Sequence, residues 1–239
     1  LTAALLLYIC TSKYSNNTTL DIDSSLAHVE MWTGGSPKGI AIPMQYTNGV
    51  FIVSIEIAGN TIDAVVDTGS QRLVVSSDTC SECLGGAIPP PQDRSLHRLY
   101  YGTQNEVVRW GVYDVEMFGF LPSGHRPPAG SIVADTGVLY PKVNVAVTME
   151  RSGSSNYNIL GLSMPNLKTQ HPSVLEMFMG PRPQLSFTIL LWCQAGWLIF
   201  GPPPQQYTFN YVPFVRNPMA KGFVYQFYVV EAQGMWCGD

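Results

Sequence analysis

The sequence predicts an all-β fold, and three observations carry that prediction. Apolar side chains recur at Phe51, Val53, Ile55 and Ile57, the period-2 signature of a half-buried strand. Residues 40 to 78 as a whole are dense in β-branched residues, which suit a pleated surface. The 239 residues also include 22 Gly and 18 Pro, the punctuation of many turns rather than of long helices.

Composition bounds function before any motif does. Lys and Arg number 13 against 17 Asp and Glu, a net charge of −4. With no basic run and no stacking platform, no nucleic-acid partner is expected. The charged fraction is 13%, about half that of an average soluble domain. Burial against partners and work in acid both fit that figure. The length allows one or two compact units.

Taken in order, residues 1–39 read as a leader or N-terminal arm. Residues 1–10 are apolar but too short to span a bilayer, and 11–39 are polar and rich in Ser, Thr and Gly. A start at Leu1 reads as a processed or partial chain. Asn16 and Asn17 open two overlapping glycosylation sequons. Strands are expected over 40–44 and 50–59. Residues 61–66 then form an apolar run ending in Asp67-Thr68-Gly69-Ser70. A carboxylate on a turn relaxed by Gly69, with the hydroxyls of Thr68 and Ser70 beside it, is a way to hold one Asp rigid for chemistry. An Asx turn between two strands has the same pattern.

A further strand is expected over 72–76, then a loop over 79–98 with a triple Pro. A hairpin opens at 99–103 and returns through 107–113. Gly102 permits the reversal, and Tyr101 offers an amphipathic ring at its tip. An ordinary aromatic hairpin reads the same way. Asp135-Thr136-Gly137 repeats the earlier triplet, but Val138 follows where a hydroxyl residue followed before, and it reads as a β-turn. Residues 143–149 alternate as a strand, and Asn158-Ile159-Leu160-Gly161 is a second short buried run. Residues 172–179 are the one convincing helix, with Ser173 as cap and Glu176 at capping-box spacing. Strand character returns over 185–200 and 225–230.

These pieces, in this order, resemble the N-terminal lobe of a pepsin-like aspartic protease. Ile40-Ala41-Ile42-Pro43-Met44 and 50–59 are similar to the entry strand and first hairpin. Val65-Val66-Asp67-Thr68-Gly69-Ser70 resembles the active-site loop. Tyr100-Tyr101-Gly102-Thr103 resembles the flap, with Tyr101 at the flap tyrosine. Asn158 to Ser163 resembles the apolar-apolar-Gly segment beneath the loop. Leu198-Ile199-Phe200-Gly201 and Tyr211-Val212-Pro213-Phe214 resemble strands leading into a second lobe. The resemblance implies an all-β, pepsin-like acid protease fold: a lobe over 40–200, with 201–239 as interlobe strands and the start of an incomplete second lobe.

It further implies an aspartic endopeptidase. Asp67 would be one carboxylate of a dyad, with Ser70 hydrogen-bonded to it and Ile159, Leu160 and Gly161 supporting it. Tyr101, Gly102 and Thr103 would close over a peptide or protein substrate, with no metal or cofactor. The second catalytic Asp is expected in a missing C-terminal lobe or in a second subunit bringing its own Asp67. There are departures. Val74 stands where the family has Trp, Gln71 and Arg72 replace small polar residues, and Gln104-Asn105-Glu106 makes the flap tip more polar. A noncatalytic binding or structural protein on the same fold fits those departures.

Five cysteines, Cys10, Cys80, Cys83, Cys193 and Cys237, leave at least one unpaired within the chain. Cys80 and Cys83 have the spacing of a redox pair or half a zinc site. No second such pair exists and no His lies at ligand spacing, so a local disulfide without metal is expected. That implies an oxidising compartment: the secretory pathway, outside the cell or in an acidic endolysosome. Membrane association stays open. No Gly-x-Ser-x-Gly argues for another nucleophile.

Overall fold

A computed structural model of the chain describes residues 8–9, 39–81, 83, 86–101, 104–118, 132–133, 137–152, 157–163, 171–179, 187–191 and 195–201. The alternation at 51–57 becomes β3 (Val50–Ile57), with Val53, Ile55 and Ile57 buried and Glu56 exposed. It pairs antiparallel with β2 (Ile40–Thr47) before it and β4 (Asn60–Asp67) after it. Asn48 and Gly49, both at positive φ, make the two-residue reversal between β2 and β3.

The later elements are β5 (Leu73–Ser77), β6 (Ala87–Ile88), β7 (His97–Tyr101), β8 (Gln104–Phe118), β9 (Ile132–Val133), β10 (Val138–Ser152), β11 (Asn158–Gly161), α1 (Val174–Met179), β12 (Phe187–Leu191) and β13 (Ala195–Phe200). Tyr8–Ile9 is a short β1 beside β12. Ladders run in the order β3-β4-β11-β5-β10-β8, and β8 pairs back onto β3, so these six strands close a barrel. Closure depends on the length of β8. Its outer end pairs with β3 while most of it runs along β10. A register shift between Tyr140 and Val143, with Lys142 at φ 57°, bends β10 to follow it.

The barrel interior holds the main core: Ile55, Ile57, Ile62, Leu73, Val75, Val115, Met117, Val143, Val145, Val147 and Leu160 among others. Here the structure refines the pattern read at 143–149. Ala146 and Thr148 are also fully buried, because the other face of β10 is covered too. Ala146 packs with Val74, Val108 and Ile159, against Leu99 and Trp110. Strands β12, β13 and β2 extend the sheet away from the barrel.

Helix α1 carries the box expected of it. Ser173 Oγ accepts from the Glu176 amide at 3.2 Å, while a Glu176 carboxylate oxygen accepts from the Ser173 amide at 2.7 Å. Phe178 on α1 stacks on Tyr140 at 4.1 Å and meets Phe200 edge-on at 5.5 Å, which seats the helix on the barrel. Among the described residues no helix is long and apolar enough to cross a membrane. The arm beyond β1 with Asn16 and Asn17, the flap turn at Gly102 and Thr103, the Asp135-Thr136 pair and the segment 202–239 lie outside the described residues.

Candidate active site

Asp67 ends β4, where Gly161 of β11 stands opposite it in a parallel ladder. β11 is shared. It pairs parallel with β4 and antiparallel with β5, so it lies between the strand that enters the Asp67 turn and the strand that leaves it. Three successive amides then knit the turn. Gly161 N donates to Arg72 O at 2.9 Å, Leu162 N to Asp67 O at 2.7 Å and Ser163 N to Ser70 O at 2.6 Å. Every residue from Asn158 to Ser163 is buried, so these bonds form away from water, where an unmade one costs most.

Gly161 has a steric reason to be Gly. A Cβ there would lie 2.5 Å from Arg72 N and 2.6 Å from both Ser70 O and Ser70 Oγ. The carboxylate of Asp67 is partly buried, and one oxygen accepts the Gly69 amide at 2.7 Å. The expected hydrogen bond from Ser70 to Asp67 is not formed. Ser70 Oγ is buried, faces the space that Gly161 leaves open, and has no hydrogen-bond partner among the described residues. The Gly69 amide takes the place beside the carboxylate instead.

Asn158, fully buried at the start of β11, ties the support together. Its carbonyl oxygen accepts from Ser76 N at 2.7 Å and Ser76 Oγ at 2.8 Å, and its amide nitrogen donates to Asp63 O and Gly86 O, each at 3.2 Å. One side chain thus links β11, β4, β5 and the loop that follows the cysteines. A Cys80–Cys83 disulfide precedes that loop, with Cys80 tucked in at 9% exposure.

The Tyr101 hairpin is β7 with the first part of β8. Tyr101 pairs with Gln104, and the ladder continues back through Leu99 and Glu106 to His97 and Val108. Its inner residues Leu99, Val108 and Trp110 pack with the cluster of Val74 on β5, the strand leaving the Asp67 turn, and Ile159 on β11 beneath it. Trp110 therefore packs against the cluster that holds Val74, the position where an aromatic ring was missing from the sequence pattern, with Ala146 of β10 paired to both. Midway along the hairpin Glu106 and Arg151 of β10, 1% and 7% exposed, form an ion pair at 3.2 Å, and Thr148 Oγ1 donates to Glu106 at 2.5 Å.

The Cys80–Cys83 bridge was expected, but the Asn158 and Glu106 contacts were not read from the sequence. Glu106 meets Arg151 across 45 positions, and Asn158 meets Ser76 across 82. An Asn set against an Ile-Leu-Gly run was the one visible signal. Among the described residues no group of three or more His, Cys, Asp or Glu could hold a metal ion.

No family model matches the sequence, and no curated protein matches it. Solved structures do. The crystal structure of an aspartic proteinase from Irpex lacteus superimposes with a TM-score of 0.50 at 18% identity, over 75% of this chain and 53% of the proteinase. The fold resembles the N-terminal lobe of pepsin-like aspartic proteases. At that identity the likeness is one of fold, and this chain spans about half the length of the proteinase it matches.

Proposed function

We propose that this chain supplies the N-terminal lobe of an aspartic endopeptidase, with Asp67 as one carboxylate of the catalytic pair. The observation that supports this reading best is the Asp67–Gly161 junction. A partly buried carboxylate sits on a turn held from below by three backbone amides, with a Gly where no other residue fits. Such a turn has little freedom to relax, which is what a reacting group requires.

Hydrolysis by this route needs two carboxylates sharing one proton. Their mutual repulsion separates the two titrations, so one carboxyl stays protonated as acid while the other acts as base. The base takes a proton from water, the water oxygen attacks the peptide carbonyl, and the acid protonates the carbonyl oxygen. We place the second carboxylate in a second lobe or in a second copy of the chain, and the peptide beneath the Tyr101 hairpin. The Cys80–Cys83 disulfide supports placing the protein in the secretory pathway.

A monomer of this chain alone is expected to leave peptides intact. A two-lobed or dimerised form is expected to cleave between apolar residues in acid. There Asp67→Asn lowers turnover by at least about 10³-fold with an unchanged circular dichroism spectrum, because the amide matches the carboxylate in shape but cannot accept the proton. The unpartnered Ser70 hydroxyl and the recruitment of Arg72 away from the turn favour a second reading, a noncatalytic binding lobe. A folded, two-lobed sample with no turnover at any pH would establish that reading instead.

A further inference from the structure

Asn158 holds both ends of one excursion of the chain. Its carbonyl oxygen accepts from Ser76 N and Ser76 Oγ where the chain sets out, and its amide nitrogen donates to Gly86 O where the chain returns. Between those two points lies the Cys80–Cys83 disulfide, closed across a sequence separation of 3. Its two cysteines are placed differently. Cys80 is buried, and its amide donates to Ser77 O at 2.9 Å. Cys83 is partly exposed, and Thr79 and Ser81 nearby are exposed. The chain is fastened a second time past the bridge, where Asp78 N donates to Ile88 O at 3.0 Å and β6 pairs with β5.

We propose that Cys80–Cys83 is a site of reversible thiol–disulfide exchange, opened by a dithiol at the Cys83 sulfur, and that Asn158 passes the change to the strand beneath Asp67. The proposal goes beyond the endopeptidase reading and does not need it. The spacing is that of a redox pair. A bridge over so short a loop removes little entropy from the unfolded chain, so the fold favours it less over two open thiols than it would a bridge over a long loop. Cys83, the more exposed of the two, is the sulfur an incoming thiolate reaches.

The exchange runs in two steps. One thiolate of the dithiol attacks the Cys83 sulfur, and the electron pair of the broken S–S bond leaves on Cys80, which takes a proton. The second thiolate of the reductant then attacks the first, forms the reductant's own disulfide and releases Cys83, which takes the other proton. Two electrons and two protons pass from the dithiol to the two cysteines.

The consequence follows from chain length. Closed, the bridge shortens the path from Ser76 to Gly86 and narrows the ways in which Gly86 can meet Asn158. Gly86 sits at φ 85°, and a Cβ there would lie 2.6 Å from Thr61 O, so its place is narrowly defined. Opening the bridge raises the entropic cost of keeping the Gly86–Asn158 bond. Asn158 begins β11, and the same ladder ends with Gly161 opposite Asp67. Loosening at Asn158 therefore enters the ladder that backs the turn, while the β5–β6 pairing keeps its hold.

The test treats the folded full chain with dithiothreitol, without denaturant. Alkylation with peptide mapping reads Cys80 and Cys83, and hydrogen exchange with mass spectrometry reads the backbone. Both cysteines are expected to be alkylated while peptides from 50–57 keep their slow exchange. Peptides covering 158–163 are expected to exchange about three- to tenfold faster, a modest change in keeping with a short-loop bridge. The double variant Cys80→Ser with Cys83→Ser is expected to exchange there like the reduced protein and to ignore the reductant. Asn158→Ala is expected to be fast at 158–163 in both redox states, and the double variant serves alone if Asn158→Ala does not fold.

Cysteines that resist alkylation until denaturant is added would overturn the proposal. So would a double variant as slow as the oxidised protein, or reduction that leaves 158–163 unchanged. Reduction that speeds 50–57 equally would also overturn it, because the bridge would then be a staple for the whole fold. None of these readings needs turnover. A chain that shows them and never cleaves peptide keeps the exchange site and loses the endopeptidase reading, while an active enzyme without them does the reverse.

Discussion

The Asp67 turn and the Tyr101 hairpin lie on either side of β10, which pairs with both β5 and β8, and their supports differ. The turn is held by backbone. Amides of Gly161, Leu162 and Ser163 reach carbonyls of Arg72, Asp67 and Ser70, and the fit depends on a missing side chain at 161. The hairpin adds side chains to its backbone ladder with β10: a buried Glu106–Arg151 pair, on residues that are themselves ladder partners, with Thr148 bonded to the same carboxylate. Backbone bonds fix a position and offer no alternative geometry. A buried ion pair fixes position at a desolvation cost and can be replaced. A catalytic carboxylate needs the first kind of support. A cover that must admit and release substrate tolerates the second.

Removing one partner of the ion pair is the strongest way to break this contrast. Arg151→Met takes away the guanidinium paired with the Glu106 carboxylate beside Thr148, and breaking a buried pair from one side costs about 3–5 kcal/mol. Denaturant titration of the folded protein measures it. The double variant Glu106→Leu with Arg151→Leu removes both charges and is expected to recover most of the loss, short of the Thr148 hydroxyl left without its acceptor. If the double variant were as unstable as the single one, the pair would be irreplaceable, and the contrast with the Asp67 turn would fail.

The Asp67 turn should behave the other way, with no rescuing partner. Gly161→Ala adds one methyl where Arg72 N, Ser70 O and Ser70 Oγ lie within 2.6 Å. Two of those three atoms are backbone and cannot rotate aside, so overpacking of about 2–3 kcal/mol is expected, and the turn itself must move. In an active two-lobed form the same change should lower turnover more than it raises KM, because it displaces a reacting group rather than a binding surface. Ser70→Ala in the same chain relieves only the hydroxyl contact and is expected to recover a minor part of the stability.

How much of this was legible in the sequence follows the same division. Features written in local pattern were readable: the alternation of β3, the run into Asp67 and the Ser173–Glu176 box. Each depends on residues a few positions apart. The order of the Asp67 run, the Tyr101 hairpin and the Ile-Leu-Gly segment was also visible, and that order is what the barrel follows. Contacts between distant side chains were not visible. Arg72 reaches His171 across 99 positions, and nothing in Gln71-Arg72-Leu73 announces a partner that far along. Ser70 failed differently. Its place beside the carboxylate was inferred from type and spacing, but the room left by Gly161 turned its hydroxyl the other way. The length of β8 was missed because Val112, apolar yet exposed, blurs the alternation that Tyr113, Val115 and Met117 carry inward.

The smallest expected effect lies where the two regions join. Helix α1 begins beside the exit of the Asp67 turn, and its leader carries both carbonyls that Arg72 binds. Ser173 caps the helix, and its hydroxyl is bonded in both directions, accepting from the Glu176 amide and donating to the Glu176 carboxylate at 2.9 Å. Ser173→Ala removes both bonds and is expected to cost about 1 kcal/mol. Part of that loss should be local, since α1 has only six residues and little cooperativity of its own. Hydrogen exchange is the fitting measurement. Faster exchange confined to 174–179 would mean the cap serves the helix alone. Faster exchange that also reaches the amides of Gly161, Leu162 and Ser163 would mean that the backbone support of Asp67 borrows rigidity from a side-chain cap, and the division between the two regions would have to be redrawn there.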